Sequence, residues 1–115
     1  MNLQKQKENV AVLMKLIQDN PDLPILPMVA TDCVLDDEYG YWMARWSKAK
    51  IDKYHEHDGR VYMYSGDLDE MVEDWIDNNW LDFEGASYEE LQKKAEVAIR
   101  GYKWVDAIVV YIEQD

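Results

Sequence analysis

The sequence predicts an α+β fold: a small, mainly antiparallel sheet covered by three helices, in the order α-β-β-β-α-α-β. Three observations predict it. Apolar residues recur at helical spacing in three segments, β-branched and aromatic runs of strand length lie outside them, and Asp58-Gly59 is a tight-hairpin signal. The 115 residues suffice for one domain over 1–115 that buries roughly two thirds of its unfolded surface. No repeat, low-complexity tract or linker divides them.

From Asn2 to Asp19, Leu3, Val10, Leu13, Met14 and Ile17 share a helical face, and Asn20-Pro21 stops the helix. "PILPMVA" (24–30) suits an extended edge strand, because proline cannot donate to a ladder. Residues 31–40 read as a loop. Tyr41 to His57 is a long strand, or two strands with a bulge, in which Ala49, Ile51 and Lys53 alternate with Lys48, Lys50 and Asp52. "RVYMY" completes the hairpin after Asp58-Gly59. Ser65 or Asp67 can cap a second helix reaching about Asn79, with Leu68, Met71, Val72, Trp75 and Ile76 on its apolar stripe. Ser87 and Glu90 form a capping box for a third helix, ended at Gly101, whose buried face comprises Tyr88, Leu91, Ala95, Ala98 and Ile99. "KWVDAIVVYIEQ" is an inner strand.

Net charge is −12, from 24 acidic and 12 basic side chains, which disfavours direct contact with nucleic acid or an anionic membrane and points to a basic protein partner. The apolar run Ala107 to Ile112 is too short to span a bilayer, and the charged N-terminal segment is unlike a signal peptide. With the lone Cys33 unable to form an internal disulfide, a cytoplasmic setting is expected.

The stretch Ser65 to Glu90 holds ten carboxylates and neither lysine nor arginine, and the basic-free window runs from Val61 to Gln92. On the second helix Glu70, Glu73, Asp74 and Asp77 fall together opposite Leu68, Val72 and Trp75. The third helix instead carries Glu89–Lys93, Glu90–Lys94 and Glu96–Arg100 at i,i+4. That contrast marks the second helix as a face left anionic, extended by Asp82 and Glu84, with Asp36, Asp37 and Glu38 as a second acidic group. Such a row is either a solvated face or a mimic of a phosphate backbone, offered to the lysines and arginines that hold nucleic acid.

An enzyme is not expected, and a metal-dependent one would rest on His55 and His57 alone. Cys33 follows Asp32, whose charge disfavours a thiolate, and no nucleophile elbow, phosphate loop, zinc set or calcium loop occurs. His55 and His57 are two potential metal ligands on one side of a strand, too few for a site on their own. No cofactor and no metal are expected. Trp75 and Trp104 belong to the core, while Trp42, Trp46 and Trp80 are candidates for a contact surface or a homodimer interface.

"DNPDLPILPMV", "YGYWMARWSKAKIDKY", "GDLDEMVEDW" and "AIVVYI" together resemble small proteins encoded by phages, prophages and integrative elements of Gram-positive bacteria. The resemblance covers roughly Asp19 to Ile76 and the last strand. Small acidic proteins of such elements include anti-CRISPR inhibitors that block a type II RNA-guided nuclease by imitating DNA. By that analogy the expected function is inhibition of a basic host nuclease by the acidic surface. The alternative is a non-enzymatic accessory protein acting through self-association or another protein contact.

Overall fold

The side chain of Asn2 accepts a hydrogen bond from Lys5 N at 3.0 Å, and α1 (Leu3–Asp19) begins there. The computed structural model describes residues 2–33 and 40–115. It contains three α-helices and a four-stranded mixed sheet, with β1 (Ile25–Val29), β2 (Ala44–His57), β3 (Arg60–Met63) and β4 (Val105–Gln114) in the order β1-β4-β2-β3. The element order is the expected one. The expected mainly antiparallel pairing needs correction: β1 runs parallel to β4, with Ile25 opposite Ile108 and Val29 opposite Ile112. A parallel partner requires a long crossover, and strand-forming residues look alike in either orientation.

The chain forms two compact units, residues 1–52 with 106–115, and residues 53–105. In the first, Leu13, Ile108 and Val110 form a core against which Leu16, Ile17, Leu23 and Ala49 pack. Ala107 to Val110 are at most 2% exposed, so both faces of β4 are covered, as its unbroken apolar run requires of an inner strand. β1 lies at the sheet edge, where the missing N–H of Pro27 leaves no interior ladder unpaired.

Two details of this unit depart from the periodicity. Leu3 and Met14 are exposed, whereas Gln6 and Asn9 are more sheltered: Gln6 Oε1 accepts from Trp46 N at 2.9 Å and Asn9 Nδ2 donates to Trp46 O at 3.0 Å. Two amides thus dock α1 to the backbone of β2. In β2 the alternation slips by one residue after Ala49, leaving Ile51 47% exposed and Asp52 9% exposed beside Lys50 Nζ at 3.5 Å. The expected pairing of Ile51 with the apolar face is therefore reversed. The strand itself is continuous over 14 residues.

The second unit opens with the β2–β3 hairpin, in which His55 faces Tyr62 and His57 faces Arg60. Asp58 and Gly59 have φ of +51° and +83°, the left-handed pair that a two-residue turn demands. α2 (Leu68–Asn79) follows, then a 3₁₀ turn (Trp80–Phe83), then α3 (Tyr88–Arg100). Asp67 occupies the N-cap position of α2, but its carboxylate accepts from Met63 N at 2.6 Å and thereby closes the turn out of β3. Ser87 Oγ caps α3 by accepting from Glu90 N at 3.2 Å. Met71, Val72 and Ile76 of α2 meet Leu91, Ala95 and Ile99 of α3 in the core of this unit. Each fully buried aliphatic side chain there contributes roughly 1.5–3 kcal/mol from leaving water.

Candidate functional site

Burial of Met71, Val72 and Ile76 fixes which way α2 faces. At 100° per residue, Glu70, Glu73, Asp74 and Asp77 then fall within an arc of about 100° on the opposite side, and all four are exposed. Asp82 lies in the 3₁₀ turn and Glu84 directly after it, both exposed. Asp36, Asp37 and Glu38 lie outside the described residues.

The helix row is not wholly uncompensated. Arg60, just before the basic-free window, donates from Nη2 to Glu70 Oε1 at 2.7 Å while its guanidinium carbon lies 4.3 Å from the centre of the Tyr62 ring. The bond to Glu70 raises the pKa of Arg60 above its ordinary value. Glu73 accepts a hydrogen bond from the Tyr88 hydroxyl. Asp74, Asp77, Asp82 and Glu84 make no ion pair or hydrogen bond among the described residues. On α3, none of the three expected i,i+4 pairs closes to ion-pair distance, and Lys94 Nζ lies 5.0 Å from the Phe83 ring centre instead. The expected contrast between a neutralised α3 and a bare α2 is thus corrected: the helix with the closed ion pair is α2.

Tyr88, expected on the buried face of α3, is 53% exposed. Its pKa is raised above 10.0, first because ionisation would forfeit the bond to Glu73, then through partial desolvation and the charges of Glu73 and Asp77. The raised value makes this contact's contribution complete below the ordinary tyrosine range, and it is lost as pH rises through the folded-state pKa. Glu73→Gln is expected to move the Tyr88 titration midpoint down toward its ordinary value, followed by NMR of the phenol carbon. An unchanged midpoint would remove the contact from the account.

Beside the row, within the second unit, lies a pocket of 490 Å³. Its ring-bearing walls are His55, His57, Tyr62, Trp75 and Tyr102, and its polar groups include Asp74, Asn78 and Asn79. His55 stacks on Tyr102 with centroids 4.9 Å apart. Its Nδ1 is 3.0 Å from Lys103 O, and since a carbonyl only accepts, Nδ1 carries the hydrogen and Nε2 is the acceptor of the neutral ring. His57 Nε2 lies 3.3 Å from Asp58 Oδ2. Among the described residues no group of three or more His, Cys, Asp or Glu side chains comes together in a metal-holding arrangement.

Sequence reasoning places Tyr62 and Tyr102 nowhere near α2. The one available signal is their aromatic character, which a core residue shares. Trp75 stacks on Phe83 with centroids 5.8 Å apart, and Trp104 Nε1 donates to Ile99 O at 2.9 Å, so both pack against the core as expected. Trp80 is 55% and Leu81 72% exposed, and both border a second groove of 260 Å³ lined also by Phe83, Ala86 and Leu91. No described helix is long and apolar enough to cross a membrane. Comparison with protein-family models, curated proteins and solved structures gives no match.

Proposed function

We propose that this chain is a non-enzymatic binding protein whose acidic α2 face occupies the cationic, nucleic-acid-holding surface of another protein and thereby inhibits it. The supporting observation is the outward arc of α2 carboxylates, with Asp74 and Asp77 free of any cation among the described residues. Carboxylates on a rigid helix satisfy arginine and lysine side chains that otherwise hold phosphates. By analogy with acidic inhibitors from mobile elements, the receptor we propose is a type II RNA-guided nuclease, whose guide–target channel is positively charged. The test is DNA cleavage by such a nuclease with and without the protein over a salt series. Inhibition that weakens as salt rises is expected; cleavage unaffected at low salt would exclude this receptor.

A second reading is favoured by the exposed Trp80 and Leu81 beside their groove: self-association through an aromatic anchor. Light scattering separates the two. A stable oligomer that ignores salt and is dissolved by Trp80→Ala supports self-association, and a monomer excludes it.

A further inference from the structure

We propose that the 490 Å³ pocket between the hairpin and α2 receives the guanidinium of an arginine side chain presented by the partner, an inference that rests on the reading of α2 as a protein-binding face. The chain itself carries the precedent. Arg60 lies over the Tyr62 ring and is held by Glu70, a ring face and a helix carboxylate acting on one guanidinium. One helical turn on, Asp74 repeats the position of Glu70 at i+4, beside Trp75, Tyr62 and Tyr102, with no cation of its own among the described residues.

The remaining polar groups favour a donor-rich occupant. Asn79 gives one Nδ2 hydrogen to Trp75 O at 2.8 Å and keeps its Oδ1 to accept, and the Nδ1 of His55 is engaged by Lys103 O. A guanidinium offers five donors in a plane that stacks on aromatic rings, whereas an ammonium is a compact, strongly hydrated charge. The pocket volume lies within the range of small-ligand sites, which leaves room for the arginine stem and its flanking backbone. The permanently charged Arg60 is already held by Glu70.

The experiment is an NMR titration of the full chain with N-acetyl-arginine amide, its lysine counterpart and the neutral isostere N-acetyl-citrulline amide. Shifts of the Asn78 and Asn79 side-chain amides, the Trp75 indole and the His55 ring are read. The arginine compound is expected to saturate these with a Kd on the order of 1 mM. The lysine and citrulline compounds, and Asp74→Asn with arginine, are expected to bind at least about tenfold more weakly, the cost of losing one charge-assisted hydrogen bond. Asp22→Asn, exposed and outside the pocket, should leave the titration unchanged. Absence of saturable shifts, equal binding of citrulline, or an unaffected Asp74→Asn variant would overturn the proposal. If those shifts are absent while salt-sensitive nuclease inhibition persists, the pocket inference alone falls. If arginine binds and no nuclease is inhibited, the inhibitor reading falls and the pocket stands.

Discussion

Reversing Asp74 and Asp77 together to lysine is expected to weaken the proposed inhibition on the order of 100-fold, mainly through the association rate, because attraction at two adjacent points becomes repulsion. Folding should be nearly untouched. Both side chains are exposed and free of ion pairs among the described residues, and relieving like-charge repulsion within α2 is worth a few tenths of a kcal/mol at most. Glu70→Lys is the internal comparison. Glu70 is already bonded to Arg60 at 2.7 Å, so it has less charge to offer a receptor, and its reversal should cost inhibition several-fold less. Inhibition constants for the three variants across a salt series test the ranking. Equal losses for Glu70→Lys and the double reversal would show that net charge alone matters, and full inhibition by the double variant would remove α2 from the interface.

Ile99→Ala is expected to destabilise the protein by about 2–5 kcal/mol, a large part of the roughly 5–15 kcal/mol available to a domain. Ile99 is 2% exposed and packs in the core where α3 meets α2. Removing three of its carbons leaves a cavity that the surrounding side chains fill only in part. Val97→Ala, on the same helix at 68% exposure, should stay within about 0.5 kcal/mol. Urea unfolding checks both: the midpoint should fall for Ile99→Ala with an unchanged slope. A midpoint equal to that of Val97→Ala would mean that the α2–α3 contact contributes little. Because the same contact sets which arc of α2 faces outward, weakening it is also expected to lower inhibition as the unfolded fraction grows.

The elements were legible wherever local chemistry and burial agree. Asp58-Gly59 forms the left-handed turn that its residues favour, Met71, Val72 and Ile76 lie on the buried stripe, and the β4 run Ala107 to Val110 is covered on both faces. Reading failed where a polar group takes an apolar place. Gln6 and Asn9 face the sheet because Trp46 offers them backbone partners, Asp52 is buried in place of Ile51, and Tyr88 turns outward to give its hydrogen to Glu73. Hydrophobic spacing cannot register such exchanges, since Gln6, Asn9 and Tyr88 depend on partners 15 or more residues away. The candidate site divides the same way. The acidic arc of α2 follows from helical spacing, whereas the Arg60–Glu70 pair and the aromatic pocket depend on how the hairpin meets the helix.

What the amino-acid order determined unaided is where helices, turn and inner strand lie and that α2 has one apolar and one acidic side, because these follow from backbone preferences and from periodicity within a few residues. Only the tertiary structure decided that β1 joins β4 in parallel, that Glu70 is neutralised while Asp74 is not, and that His55, Tyr62, Trp75 and Tyr102 share a pocket. Those outcomes depend on distances between residues far apart along the chain, which are set when the elements pack.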